Sequence, residues 1–470
     1  MKAKEFEYLL RNTANGKKDI ISRDTDFPQW YQDVIVAADL AENGPAKGSM
    51  IIKPYGYAIW ENIQQELNMR IKAEGIPNMY FPLFIPESFI HREAEHVEGF
   101  APEVAVVTHA GGKELEEKLI VRPTSETIIY DSFSRWIQSY RDLPLMLNQW
   151  ANIVRWEMRP RLFLRSTEFL WQEGHTAHAT EEEADMTARK MLSMYKDVAE
   201  EVLAINVVDG EKSARERFAG AKKTYTLEPM MQDGKALQFA TSHNLGDTFS
   251  KAFDVRYSAE DGSIKPVWQT SWGMSTRSIG GLIMSHSDDR GLVLPPRIAP
   301  LKVVITTVGQ PDQLVKKAAA SLAEEINESV LVDDRDISPG EKFYSYEKRG
   351  VPIRIEIGPR DLEKKEVILV VRDTGDKRVV SISDLDTEIK KELGSMQDRL
   401  LKNSKKLQRD NTIECSTEEA AVEAIESGKF AVVDFEVTSE IEDRLKKQSG
   451  ITVRCYPFNN PGKTILAKAY

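Results

Sequence analysis

The sequence predicts an α+β fold of three units: a large antiparallel sheet flanked by helices, then a compact α/β domain, then a small α+β domain at the C-terminal end. Three observations carry that expectation. Apolar residues repeat at helical spacing near residues 57–74 and 181–204, whereas the chain between them reads as strands and turns with no βα alternation. The Pro-rich stretch Leu294-Pro295-Pro296-Arg297-Ile298-Ala299-Pro300 is a hinge signal. Past it the order changes to β-α-β-α-β-β.

The elements follow in order. Ile59, Ile63, Leu67 and Ile71 recur every fourth residue from Tyr57 to Glu74, Trp60 widens the stripe, and Gly75 ends the helix. Met79 to Pro86 reads as a strand interrupted by Pro82, which places it at an edge or a bend. Phe163 to Trp171 is an aromatic-rich strand run. A second long helix is expected from Glu181 to about Ala204, with Thr180 and Glu183 as a capping box and an acidic first turn that suits the helix dipole. In the second unit strands are expected at Lys302–Val308, Val330–Val332, Val351–Ile357 and Val367–Arg372, and helices at Asp312–Asn327 and Glu341–Arg349. A charged helix from Asp386 to Arg409 leads into the last segment. The expected units are 1–298, 299–400 and 401–470.

Composition narrows the class. The 470 residues are 41% hydrophobic and 29% charged, as in ordinary globular domains. No apolar run approaches the ~18 residues of a membrane span, and Met1 to Glu7 lacks the apolar core of a signal peptide. Two cysteines, Cys415 and Cys455, suggest a reducing cytoplasmic setting. A net charge of −11 argues against indiscriminate coating of nucleic acid, while leaving room for a local basic patch.

Three segments carry chemistry. Gly75-Ile76-Pro77-Asn78-Met79-Tyr80-Phe81-Pro82-Leu83-Phe84 is a helix stop followed by a prolyl strand. Arg155-Trp156-Glu157, the loop Met158–Leu164 and then Arg165, Phe169 and Glu173 form R-x-E, a loop, and R-x-x-x-F-x-x-x-E. A guanidinium binds phosphate bidentately, so Arg155 suits an α-phosphate whose charge grows in a transition state. Glu157 can accept from an exocyclic amine, and Phe169 can stack on a base. Arg155 and Glu157 share a face of a strand, as do Arg165, Phe169 and Glu173 if theirs is regular. In Trp272 to Gly281, Arg277 stands among small residues that let a ligand approach closely, at the γ-phosphate end.

These segments, about 57–86, 153–175 and 268–296, resemble motifs 1, 2 and 3 of class II aminoacyl-tRNA synthetases. Arg122-Pro123-Thr124-Ser125-Glu126, Phe169-Leu170-Trp171-Gln172-Glu173-Gly174-His175, Gln238 to Gly246 and the terminal Ala467-Lys468-Ala469-Tyr470 narrow this. The chain resembles the prolyl-tRNA synthetase family, of its archaeal and eukaryotic-like type, over essentially its whole length. The resemblance implies a class II antiparallel-sheet catalytic domain, an α/β anticodon-binding domain and a small C-terminal domain. It implies proline–tRNA ligase activity in the cytoplasm, with ATP, L-proline, Mg²⁺ and tRNA(Pro) as ligands, in a homodimer.

Carried over residue by residue, it implies that Thr124 and Glu126 receive the proline ammonium. Arg155 meets both the carboxylate and the α-phosphate, and Phe169, Trp171, Glu173, His175 and His243 shape the pocket. Arg155, Glu157, Arg165, Ser166, Phe169, Gln238, Thr241, Ser275 and Arg277 hold ATP, with Gln238 also near Mg²⁺; Arg155 and Arg277 are the catalytic pair. A metal pair at His175 and His178 competes with the pocket reading, but no cysteine lies nearby and a strand sets the two on opposite faces. Arg335, Glu347, Lys348, Arg354, Arg360 and Arg372 are candidates for anticodon contact, with surface ion pairs as the alternative.

Two departures stand out. Relatives often carry a four-cysteine zinc site near the C-terminal end, but Ala420 and Val453 fill two of its places here, so zinc is not expected. About 65 residues separate Glu173 from Gln238, too few for an inserted editing domain. Gly462-Lys463-Thr464 is no P-loop, since Pro457 stands where the first glycine belongs. Lys402 to Lys406 reads as a solvated helix face. A threonine, serine or glycine enzyme of the same class, and a catalytically silent RNA-binding paralogue, are the rival readings; the intact R-x-E and R-x-x-x-F positions weigh against the latter.

Overall fold

The computed structural model describes residues 4–10, 19–94, 103–157, 159–309 and 313–470. Its centre is an eleven-stranded sheet. From one edge inward run Thr412–Cys415, Phe430–Val433, Thr464–Lys468, Ile451–Pro457, Val208–Glu211, Lys223–Glu228, Ala240–Gly246, Trp268–Ser275, Glu168–His178, Leu145–Val154 and Asn78–Met79. Only the two outermost pairings are parallel. The helices Pro54–Ala73, Glu181–Asp197 and Arg277–His286 send buried side chains into a shared core that includes Trp30, Ile59, Ile63, Tyr195, Trp272 and Ile283.

The long helices follow their apolar stripes. Pro54–Ala73 begins with proline at its first position, buries Ile59, Ile63, Leu67 and Ile71, and is followed by Gly75 at φ +75°, a left-handed conformation that suits glycine. Glu181–Asp197 is capped as expected on one side, because Thr180 accepts from Glu183 N–H. The reciprocal bond differs: Glu183 accepts from Ala179 N–H at 3.1 Å rather than from Thr180. The helix also stops short of Ala204. A π-turn over Val198–Val202 follows, keeping Val198, Ala199 and Val202 buried by a change of register.

The run from Met79 to Pro86 divides into two strands. Asn78–Met79 joins the central sheet beside Leu145–Val154, whereas Phe84–Pro86 joins a separate three-stranded sheet with Ala105–Ala110 and Lys113–Val121. Pro82 lies between them and has no N–H to offer either ladder.

Residues 303–381 form a five-stranded sheet in the order Val330–Asp333, Val303–Thr307, Ile353–Ile357, Glu366–Val371, Lys377–Ser381. The first three strands are parallel and the last two antiparallel, so the sheet is mixed as expected. The helices are Gln313–Glu325 and Pro339–Lys348; Asp312, the expected first residue of the former, lies outside the described residues. Two elements were not anticipated. The helix Pro359–Lys364 buries no residue, and Lys377–Ser381 buries only Val380, so neither has an apolar period to read.

The C-terminal strands do not form a sheet of their own. Ile451–Pro457 pairs with Val208–Glu211 through Tyr456 with Glu211 and Pro457 with Gly210, which extends the central sheet. Gly210 permits the approach: a Cβ there would stand 2.5 Å from the Tyr456 carbonyl oxygen and 2.8 Å from Cys455 Sγ. Gly462 lies in the turn before Thr464–Lys468, and Lys405 and Lys406 pair with Glu200 and Asp410 on the long 385–410 helix.

Candidate functional site

Three neighbouring strands, Glu168–His178, Trp268–Ser275 and Ala240–Gly246, build the floor of the site. Along Glu168–His178, the alternate residues Phe169, Trp171, Glu173 and His175 point to one face. The register sets Trp171 beside Ser275, Glu173 beside Gly273 and His175 beside Ser271. On the next strand Thr241 stands beside Gly273 and His243 beside Ser271. Gly174, on the opposite face, makes room for Trp272: a Cβ there would fall 2.1 Å from the indole. A cavity of about 300 Å³ lies over this floor, closed on one side by Thr124 and Glu126.

Glu126 opens the helix Glu126–Trp136 and accepts a hydrogen bond from Thr124 Oγ1. Glu173 is buried and heavily bonded. It accepts from Gln149 Nε2 at 2.7 Å and from Ser125 Oγ, and meets His175 Nε2 at 2.9 Å. Burial alone would raise the Glu173 pKa, but His175, Ser125 and Gln149 hold it below the usual carboxylate value. Burial would likewise lower that of His175, yet the Glu173 hydrogen bond and the charges of Glu173 and Glu126 raise it. Both shifts favour the ionic form of the pair, and the other ring nitrogen, Nδ1, lies 3.1 Å from Tyr130 OH. His243 behaves oppositely. Burial, with the His175 charge, pushes it down to about 3, and its Nδ1 lies 3.0 Å from Thr224 Oγ1.

Arg155 follows directly after the strand Leu145–Val154 and keeps a ladder bond, its N–H donating to the Thr167 carbonyl at 2.8 Å. Its Nε donates to the Pro123 carbonyl at 2.9 Å, and its guanidinium lies 5.7 Å from the rings of both Phe169 and Trp171. Arg155 stays exposed to solvent, yet crowding by protein atoms lowers its pKa, opposed by Glu126 and Glu173. Beyond it a cleft of about 100 Å³ is lined by Glu157, Phe163, Leu164, Arg165 and Ser166, and shares Arg155, Phe169, Ser275 and Arg277 with the main cavity. Arg277 donates through Nε to the Leu164 carbonyl at 3.1 Å. Burial and the neighbouring Arg165 and Arg155 push it down to about 10. Two acids at one end and three guanidiniums at the other suit a ligand that is cationic at one terminus and polyanionic at the other.

Every residue singled out for the amino acid or for ATP lines one of these two connected spaces. The face assigned to Arg165 differs from expectation. The strand begins at Glu168, so Arg165 reaches the cleft from the turn closed by its pairing with Arg161. Met158 lies outside the described residues. His178 sits on the opposite face of the sheet from His175, against Thr176 at 2.8 Å. No cluster of three or more metal-ligating side chains occurs among the described residues.

Sequence reasoning passed over Ser271, Glu216 and Phe218, which also line the main cavity. Ser271 was legible as the alternate-position partner of Gly273 and Ser275; Glu216 and Phe218 lie in a loop with no periodic signal. Among the described residues, buried Ser271 Oγ and Trp171 Nε1 have no hydrogen-bond partner, so both can serve a ligand.

Of the six anticodon candidates, Glu347, Arg354 and Arg372 line a separate cavity of about 270 Å³. Arg354 stacks 4.1 Å over Phe343, and Arg372 donates bidentately to Asp288 at 2.9 and 2.7 Å. Lys348 and Arg335 are not among its lining residues: Lys348 lies 4.0 Å over Tyr344, and Arg335 pairs with Asp333. Arg360 is exposed on the Pro359–Lys364 helix.

Comparison with known proteins agrees with this geometry. Residues 107–286 match the class II tRNA synthetase core domain (G, H, P, S and T), and residues 302–392 an anticodon-binding domain. The chain is 52% identical to a proline–tRNA ligase of Lachnoclostridium phytofermentans, over 95% of this chain and 94% of that one. It is 52% identical to a proline–tRNA ligase of Chlorobaculum tepidum, over 96% and 99% of the two. A crystal structure of prolyl-tRNA synthetase from Cryptosporidium parvum, complexed with halofuginone and AMPPNP, superposes with a TM-score of 0.91 at 38% identity, covering 96% of this chain and 99% of that one. Motifs, sheet and near-complete coverage agree, and the chain belongs to the proline–tRNA ligase family of class II aminoacyl-tRNA synthetases.

Proposed function

We propose that the chain joins L-proline to ATP in the main cavity and then esterifies the 3′ end of tRNA(Pro). The observation that carries this reading is the place of Arg155, which borders both the acidic cavity and the arginine-lined cleft. A proline whose ammonium lies against Thr124 and Glu126 directs its carboxylate to Arg155, between Phe169, Trp171 and His243 as ring walls, with Glu173 and His175 fixing the floor. ATP lies with its base between Phe169 and Glu157 and its phosphates on Arg155, Arg165 and Arg277, assisted by Ser166, Thr241 and Ser275.

A carboxylate oxygen attacks the α-phosphorus and the bond to the β-phosphate bridge breaks, giving prolyl-adenylate and pyrophosphate. A terminal ribose hydroxyl then attacks the prolyl carbonyl and AMP leaves. No protein nucleophile is required; positioning and arginine charge lower the barrier. The amide oxygen of Gln238 is of the donor type that suits Mg²⁺, which supplies charge neutralisation on the phosphates when bound. Amino-acid-dependent exchange of pyrophosphate into ATP tests this. Exchange supported by proline, with serine, threonine and glycine inert, is expected; exchange driven by one of those instead defeats the reading.

Further assignments belong to the same proposal. The units are 1–298 for catalysis, 299–400 for the anticodon, with Glu347, Arg354 and Arg372 as its contact group, and 401–470. The enzyme works in the cytoplasm and lacks a cis editing domain. Exposed Met69, Met79, Tyr80 and Phe84 around the motif 1 segment support a homodimer. The C-terminal residues do not fit zinc: Cys415 and Cys455 lie in different apolar clusters, burial raises both thiol pKa values, and Ala420 and Val453 offer no ligand. Native mass spectrometry is expected to give a dimer of 53.3 kDa subunits without zinc; a monomer or stoichiometric zinc counts against these assignments.

A further inference from the structure

The loop 212–222, between the strands Val208–Glu211 and Lys223–Glu228, supplies Glu216 and Phe218 to the wall of the main cavity. Phe218 stacks on His243 with ring centroids 4.7 Å apart, and its N–H donates to Thr224 Oγ1, which also meets His243. The loop therefore shapes the wall at the amino-acid end. The loop has turns of its own, with Glu216 N–H donating to the Ser213 carbonyl at 3.2 Å and Ala221 N–H to the Phe218 carbonyl at 3.0 Å, and further support comes from outside it.

Its outer side is held by one helix of the C-terminal segment. Within Ser439–Ser449, Glu442 accepts from Ser213 Oγ at 2.8 Å, Asp443 accepts from Arg215 Nη2 at 2.7 Å, and Lys446 Nζ donates to Glu216 Oε1 at 2.8 Å. Positions 442, 443 and 446 fall on one helix face. The Ser213–Glu442 contact is buried, with both residues 2–3% exposed, whereas the Arg215–Asp443 pair is exposed and contributes little by itself. The helix is itself rigidly tied. Thr438 caps its start, Gly450 at φ +68° ends it, and the strand that follows pairs with Val208–Glu211, from which the loop departs.

We propose that Glu442 and Lys446 are positioning residues for the amino-acid pocket: the C-terminal helix clamps the 212–222 loop, and through it Phe218 against His243. Neither residue lines the cavity, so each acts through Ser213 or Glu216. The inference rests on the proposed proline activation in this cavity. A clamp on the amino-acid end alone predicts separated effects: the KM for proline rises while the KM for ATP stays put, because the ATP cleft receives no residue from this loop.

The test is steady-state pyrophosphate exchange with Glu442→Ala, Glu442→Gln and Lys446→Ala in the full chain. The proline KM is expected to rise about tenfold in Glu442→Ala and by a smaller factor in Lys446→Ala, with the ATP KM within about twofold of the parent. Glu442→Gln, which can still accept from Ser213, recovers most of the proline KM. Lys446 is an exposed position, so its variant folds even if Glu442→Ala does not. An unchanged proline KM in Lys446→Ala, or an equal change in both KM values, overturns the clamp. A parent enzyme without proline-dependent exchange would instead defeat the functional reading on which the clamp rests.

Discussion

His175 and His178 are three residues apart on one strand, and their surroundings shift their pKa values in opposite directions. His175 faces the cavity, where Glu173 and Glu126 favour the protonated ring. His178 faces the other side, 2% exposed, and burial pushes it down to about 4. Below the ordinary histidine value of about 6.5, the unfolded chain takes up a proton at this position that the folded chain refuses. Stability from this group is whole above pH 6.5 and is lost as pH falls towards 4, at a slope of up to about 1.4 kcal/mol per pH unit. His178→Gln removes that contribution, so urea-unfolding free energies between pH 7 and 4.5 should fall less steeply in the variant than in the parent. Equal slopes would mean that His178 is not neutral in the folded chain. At this scale the R-x-E and R-x-x-x-F-x-x-x-E spacing singled out Arg155 and Glu173 from their chemistry, whereas Thr124 and Glu126 came from the family resemblance alone; all four line one cavity. Phe218 and Glu216 were not legible, because a loop wall is set by what it folds against.

The junction between the central sheet and the C-terminal strands is built around buried charge. Glu228 accepts from Lys212 Nζ at 2.7 Å and from Arg454 Nη2 at 2.8 Å, with all three side chains 5% exposed or less. Burial would raise the Glu228 pKa, but Arg454 and Lys212 together hold it below the usual carboxylate value. Removing the acid alone leaves two cations without an anion in a dry site. Glu228→Ala is therefore expected to lose about 3–5 kcal/mol of stability, read as a lower urea midpoint. A loss below about 1 kcal/mol would contradict the ionic account of the triad. The pairing of the C-terminal strands with Val208–Glu211 was not readable from the sequence, because local periodicity carries no information on partners more than 200 residues away. The early end of the 181–197 helix has a related cause: Val198, Ala199 and Val202 continue an apolar stripe that either an α or a π register buries.

At the scale of the whole molecule, the mixed sheet of residues 303–381 was legible because its buried strands are nearly continuous apolar runs between amphipathic helices. The antiparallel sheet was legible only as a class, from the lack of βα alternation. What joins the parts is the placing of one guanidinium. Arg155 ends one strand, is held by the Pro123 carbonyl beside Thr124 and Glu126, and shares the cleft with Arg165 and Arg277. Proline-dependent exchange of pyrophosphate into ATP by Arg155→Ala, compared with the parent under saturating ligands, is the most direct test. Loss of 10²-fold or more of the parent rate, in a variant that keeps the parent's unfolding midpoint, is the expected result. Near-parental exchange would contradict it, since carboxylate and α-phosphate would then meet without the guanidinium held beside Thr124 and Glu126.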